Sequence, residues 1–162
     1  MTTPRWLDAE ERSAWLAYID LSMLLDDYLD RQLRRDAGIT HPDYALLNFL
    51  QNAPTGGLGM SELAERLKIT RSRLTHAVTR LEKAGYAARH ENPADRRGQI
   101  TVITPAGREL LERAAPGHVE AVRRAVFDVL SREQVRQFGE ACRTIADAVQ
   151  GVNPDPLPWH RR

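Results

Sequence analysis

A mostly α-helical fold with a small β-wing is predicted for this 162-residue chain, and three observations predict it. Apolar residues recur at three- and four-residue spacing towards both ends, which is helical periodicity. Between them lie two short helical patterns joined by a tight turn. Two weak strand patterns around an Asn-Pro and Gly turn follow at once. The middle therefore reads as a winged helix-turn-helix lobe over residues 42–104, flanked by helical regions at 8–37 and 105–150 and ending in a loose tail at 151–162.

The first helix starts at Asp8, with Glu11 at its third position, a capping box with an acidic first turn. Trp15, Tyr18, Ile19, Ser22, Met23, Asp26, Leu29 and Leu33 carry its apolar stripe to a C-cap at Gly38. Almost 30 residues is longer than a compact small domain needs, so this helix is expected to pack on a partner chain or a long neighbour. Thr40-His41-Pro42-Asp43 starts a second helix by cap-then-proline chemistry. Tyr44, Leu46, Leu47, Phe49 and Leu50 make it apolar nearly all round, hence buried. After a break at Ala53 to Gly57, Leu58-Gly59-Met60 is too short for a free strand but suits pairing with a later hairpin.

Ser61 is the expected cap of a short helix that turns inward Leu63, Ala64 and Leu67, and Thr70 caps the next, Arg71 to Ala84, closed by Gly85. Strands are expected at Ala87–His90 and Gln99–Ile103. Thr104-Pro105 opens another helix, in which Pro116-Gly117 predicts a kink or short break. Ser131-Arg132-Glu133-Gln134 is a capping box, and Val135, Phe138, Cys142, Ile145 and Val149 follow at the spacing of helices that pack along their length.

Composition narrows the class. Apolar residues at 42% allow a core, and no run approaches the roughly 18 apolar residues of a membrane span. The N-terminus lacks the apolar segment of a secretory signal, and one cysteine, Cys142, leaves no intramolecular disulfide, so a cytoplasmic location is expected. The five histidines (41, 76, 90, 118, 160) show no metal-ligand spacing, and neither a metal nor a cofactor is expected. The formal net charge of +1 points to no partner, but its distribution does. Residues 1–60 hold five Lys/Arg against nine Asp/Glu. Residues 66–97 hold nine (Arg66, Lys68, Arg71, Arg73, Arg80, Lys83, Arg89, Arg96, Arg97) against three (Glu82, Glu91, Asp95). Such a block is either a solvated face or the footprint of a phosphate backbone.

The helix from Arg71 decides between them. At about 100° per residue, Leu74, Ala77, Val78 and Leu81 share one face. Ser72, His76, Thr79 and Lys83 take the opposite face, flanked by Arg73, Thr75 and Arg80. Small hydroxyls let a helix lie close in a groove, arginines on its flanks reach phosphates, and both types hydrogen-bond base edges. At the hairpin tip, Asp95-Arg96-Arg97-Gly98 places two guanidinium groups beside one carboxylate. A wing arginine enters the narrow, electronegative minor groove, and a carboxylate two residues away holds it extended. An isolated Asp-Arg-Arg is equally what an ordinary charged turn carries.

Ser61-Glu-Leu-Ala, Thr70-Arg-Ser-Arg-Leu-Thr, Arg80-Leu-Glu-Lys-Ala-Gly, Asn92-Pro-Ala-Asp-Arg-Arg-Gly and Ile103-Thr-Pro-Ala-Gly-Arg occur in order. Together they resemble the MarR family of transcriptional regulators over about residues 42–112. The resemblance implies a homodimer whose N- and C-terminal helices intertwine, so that 8–37 and 105–150 form a dimerisation region. It implies two recognition helices in successive major grooves of a near-palindromic double-stranded operator, with wings in the minor grooves and Asp95 and Arg97 as orienting and inserting residues. Repression is the family's common mode. The expected DNA-contacting set is Ser72, Arg73, Thr75, His76, Thr79, Arg80, Asp95, Arg96 and Arg97. The resemblance also implies a small aromatic or anionic effector in a cleft beside the DNA-binding lobe, with Trp15, Tyr18, His41, Tyr44 and Leu47 as candidates; buried packing explains these five equally well. Cys142 is expected to be buried as a small apolar residue.

Two other classes compete. An enzyme with a winged-helix appendage would need a catalytic constellation, and no glycine-rich phosphate loop or paired-carboxylate arrangement is present. A winged helix that binds protein rather than DNA is the alternative, but it rarely needs a doubly basic wing tip.

Overall fold

A computed structural model describes residues 4–53, 57–92 and 95–150, with the backbone alone at 95–97 and 150. Six helices and a three-stranded sheet follow one another as α1 (Ala9–Ala37), α2 (His41–Gln51), β1 (Leu58–Gly59), α3 (Met60–Arg66), α4 (Arg71–Lys83), β2 (Ala87–Asn92), β3 (Asp95–Ile103), α5 (Pro105–Val122) and α6 (Arg132–Gln150), with one π-helical turn, Arg123–Phe127, after α5. This is the mostly α fold with a β-wing that the sequence predicts. No described helix is long and apolar enough to cross a membrane.

Local chemistry sets most of the boundaries. The Asp8 carboxylate accepts from the Glu11 N–H at 2.8 Å and Glu11 accepts from the Asp8 N–H at 2.9 Å, the reciprocal cap that satisfies two otherwise unpaired donors. Gly38 ends α1 in the left-handed region at φ 70°, which costs a glycine nothing. Thr40 and Asp43 form the same box at α2, Thr70 accepts from Arg73 N–H at α4, and Thr104 accepts from Gly107 N–H at α5. Ser131 and Gln134 cap α6 reciprocally.

The sheet is antiparallel in the order β1-β3-β2. Leu58 faces Thr101 and Gly59 faces Ile100, so the two-residue β1 survives only because β3 supplies its ladder. On the other edge β2 pairs from Ala87 opposite Ile103 to Glu91 opposite Gln99, with an irregularity before Asn92 meets Asp95. Both strands run longer than the sequence pattern shows, because hairpin pairing recruits polar residues that alternation alone does not mark.

One core holds this lobe together. Leu46, Leu47, Phe49 and Leu50 of α2 pack with Leu63 and Ala64 of α3, Leu74, Val78 and Leu81 of α4, Leu58, Ala87 and Ile103 of the sheet, and Leu110 and Leu111 of α5. The long helices are different. α1 buries only Leu29, Gln32 and Leu33, near its C-terminal end, where it packs on α5. Trp15, Met23 and Leu24 on α1 and Ile145 and Val149 on α6 are each more than half exposed in the single chain.

Three expectations are corrected. Ser61 does not cap α3, which starts at Met60 with Gly59 in the cap position, two residues earlier than expected; β1 leads straight into the helix, and the Ser61 hydroxyl instead accepts from Arg71 Nη2 at 2.6 Å. No break occurs at Pro116, and α5 runs through it to Val122. Ala114 and Ala121 on either side are buried, and α5 packs on α1, which holds the backbone helical despite the missing donor; the irregular turn comes later, at Arg123–Phe127. Cys142, expected to be buried, is exposed in the single chain, as is most of the α6 seam it belongs to.

The joint between wing and α5 has no spare room. A Cβ on Gly107 would lie 2.2 Å from the Tyr86 carbonyl oxygen and 2.8 Å from Ile103 Cγ1. Gly107→Ala is therefore expected to cost roughly 1–3 kcal/mol, read as a lower urea midpoint at unchanged slope; an unchanged midpoint would show that the joint yields freely.

Candidate nucleic-acid interface

The centre is built from α3, a tight turn and α4. Lys68 takes a left-handed conformation at φ 53° between the helices. The Lys68 N–H donates to the Glu65 carbonyl and the Ile69 N–H to the Ala64 carbonyl, which closes α3 and swings the chain to Thr70. With Leu74, Val78 and Leu81 buried, α4 keeps its other face in solvent.

That outer face divides into two groups. Ser72, Arg73 and His76 are exposed, and their side chains make no hydrogen bond or ion pair with the described residues. Thr75 is exposed too, its hydroxyl donating to the Arg71 carbonyl at 2.8 Å. All four are open to a ligand from outside. Thr79 and Arg80, by contrast, are engaged within the chain. Arg89 Nη2 on β2 donates to Thr79 Oγ1 at 2.7 Å and pairs with Glu82 at 2.7 Å, a strut from the wing to α4. Arg80 reaches back to α2, its Nη2 donating to Asp43 Oδ1 at 2.5 Å and its Nε to Oδ2 at 3.2 Å. The Asp43 side chain is only 3% exposed, and the hydrogen bond to it holds the Arg80 guanidinium above even its usual high pKa.

Asp95, Arg96 and Arg97 occupy the first three positions of β3, at the tip of the hairpin. The expected pairing of Asp95 with Arg97 falls outside the described side chains. The sequence reading misses Arg89 and Asp43. Asp43 is legible as a helix-capping residue, but its partner is 37 residues away and no local pattern signals it.

The five effector candidates scatter. Trp15 and Tyr18 stack on each other at 5.5 Å between ring centroids and stay about half exposed. Leu47 is fully buried in the core, where nothing from solvent reaches it. His41 and Tyr44 both approach His118 of α5, at 5.7 and 4.6 Å. An open cleft of about 370 Å³ is lined by Asp26, Asp27, Asp30, His41, Pro42 and Ala45, so His41 alone of the five lines it. The Asp30 carboxylate accepts from Arg34 Nε at 2.5 Å and from the His41 N–H at 2.8 Å, and the Arg34 bond first of all holds its pKa below the ordinary carboxylate value. Among the described residues no group of three or more metal-binding side chains is placed to hold an ion.

Burial, and secondarily the neighbouring His41, push the His118 imidazole below the usual histidine pKa. A depressed histidine makes the unfolded chain the better proton acceptor, so stability is full above about 6.5 and falls as pH drops through the lowered value. Urea unfolding at about pH 7.5 and about pH 5.5 is expected to show this loss in the native chain and a smaller one in His118→Gln. Equal losses in both would assign the effect elsewhere.

Comparison with known proteins gives one answer. The MarR family profile matches residues 37–98. Over 98% of this chain and 99% of the other, the structure is similar to that of Sco3205, a MarR family transcriptional regulator from Streptomyces coelicolor solved in complex with DNA, at 52% identity and a TM-score of 0.85. It is also similar to AbsC, a MarR family regulator of the same organism, at 34% identity and a TM-score of 0.82, over 91% of this chain and 99% of that one. The transcriptional repressor YetL of Bacillus subtilis is 25% identical over 82% of this chain and 78% of its own length.

Proposed function

The chain belongs to the MarR family of transcriptional regulators, and from that premise we propose that it acts as a homodimer reading one near-palindromic double-stranded operator, as a repressor in the cytoplasm. The carrying observation is the outer face of α4, where the side chains of Ser72, Arg73 and His76 stand in solvent with no partner among the described residues. Groups this polar, left unused by their own chain on a well-anchored helix, suit the donors and acceptors of a major groove. The solved relative in complex with DNA supports the same reading.

In this reading Ser72, Arg73, Thr75 and His76 meet base edges and adjacent phosphates, while Arg96 and Arg97 serve the wing, with Asp95 orienting Arg97. Thr79 and Arg80 stand at the margin, since their polar atoms are already engaged. The dimer is supported by the apolar residues left exposed on α1 and α6, including Trp15, Met23, Ile145 and Val149. A two-fold partner would cover both, and residues 8–37 and 105–150 would form its interface. Control by a small aromatic effector remains part of the proposal. The carboxylates around the cleft at His41 favour an uncharged or cationic one over the anionic kind.

Selection of duplex fragments by the purified protein tests this directly. A near-palindrome with half-sites about one helical turn apart is expected, and log Kd is expected to rise steeply with log salt because binding releases the counterions condensed on several phosphates. Recovery of no sequence preference would sink the reading. On the selected site Ser72→Ala and His76→Ala are expected to change base preference by about 1–3 kcal/mol at one position, and Arg97→Ala to weaken binding without altering that preference; mobility unaffected by Arg97→Ala would remove the wing from the proposal. Sedimentation at micromolar concentration is expected to show a dimer, and a monomer would exclude the two-fold arrangement.

A further inference from the structure

We propose that Asp43 is a positioning residue for DNA recognition, and that Arg80 acts through it, locking α4 to α2, rather than by gripping a phosphate. The inference rests on the reading of α4 as the DNA-reading helix. Arg80 lies on the DNA-facing half of α4 and its sequence pattern makes it a phosphate contact, yet its fork is turned inward. Nη2 reaches Asp43 Oδ1 at 2.5 Å and Nε reaches Oδ2 at 3.2 Å, the two-pronged geometry that fixes orientation as well as distance. The carboxylate lies almost entirely out of water, and its Oδ2 also accepts from the Thr40 N–H at 3.3 Å as part of the α2 cap. A buried carboxylate left without its cation is expensive, so the pair resists opening when DNA arrives. Turning Arg80 to a phosphate would abandon Asp43 in the interior.

The consequence is mechanical. α4 is held on its apolar side by Leu74, Val78 and Leu81, contacts that resist separation but permit small rotation and sliding. Directional bonds at its margins oppose such movement: Arg80 to α2 and the Arg89 strut from β2 to Thr79 and Glu82. A shift on the order of 1 Å spoils base-edge hydrogen bonds but not phosphate attraction. Asp43 therefore governs specific more than non-specific binding, though it touches no DNA.

The two roles of Arg80 predict opposite behaviour. Lysine serves a phosphate as a point charge but cannot form the two-pronged bond. Asp43→Asn removes a negative charge, which by long-range attraction alone would leave DNA binding unchanged or tighter. Each variant is to be measured, after circular dichroism and thermal unfolding confirm a folded dimer, on the selected operator and on a random duplex over a range of salt. Arg80→Lys and Asp43→Asn are each expected to weaken operator binding by about tenfold or more while random-duplex binding stays within about twofold. The double variant is expected to lose little beyond either single one, since both remove the same contact. Arg80→Gln is expected to leave the salt slope unchanged, whereas a phosphate contact would lower it by about 0.9. Operator binding by Arg80→Lys within twofold of the native chain, equal loss on both duplexes, or a lowered slope in Arg80→Gln would overturn the proposal. Should Asp43→Asn not fold, the two Arg80 variants decide alone. A native protein that fails to distinguish operator from random duplex would instead overturn the DNA-reading assignment itself.

Discussion

The lobe depends on one constraint: a carboxylate taken out of water must have its charge answered. Asp43 sits in the first turn of α2, beside the core formed by Leu46, Leu47 and Leu50, and its answer comes from α4 through Arg80. The same turn is tied to α1, where Asp30 accepts the His41 N–H. Three helices thus meet at one short stretch, Thr40 to Asp43, through hydrogen bonds rather than through shape alone. Apolar packing is insensitive to direction, whereas charged hydrogen bonds weaken steeply with misalignment. Packing therefore accounts for how tightly the lobe closes, and this joint for the pose in which it closes.

The cleft lined by Asp30, His41 and Pro42 opens on that same turn. Whatever enters it meets residues directly continuous with the anchor of α4. The His118 ring lies against His41 and Tyr44, and its Nδ1 is 3.3 Å from Gln32 Oε1 of α1. The long helix α1 and the helix that carries the exposed polar face, α4, share this junction, so a displacement on one side has a short physical route to the other.

The long helices obey a different logic. α1 has 29 residues and good caps, with (i, i+4) ion pairs such as Arg34 to Asp30, so local chemistry suffices to form it. It buries only three residues within its own chain. α6 likewise presents Phe138, Ile145 and Val149 to solvent. Helices of this kind gain stability by packing an amphipathic face, and the face here exceeds what one chain covers.

Much of this was legible in the sequence because it is local. Asp8 and Glu11, Thr40, Thr70, Thr104, and Ser131 with Gln134 mark helix starts because a cap needs residues within one turn of each other. The spacing of Leu74, Val78 and Leu81 marks a buried face, and Ser72, Arg73 and His76 opposite it mark the exposed one. Where an element boundary or break was misplaced, a non-local contact was responsible. Packing on α1 carries α5 through Pro116, strand pairing moves the cap of α3 from Ser61 to Gly59, and the β3 ladder extends β2 to Asn92. Arg80 makes the same point within the site itself. Periodicity determined that it lies on the outer half of α4; only the fold decided that its charge turns inward, because the carboxylate it answers is 37 residues away and buried.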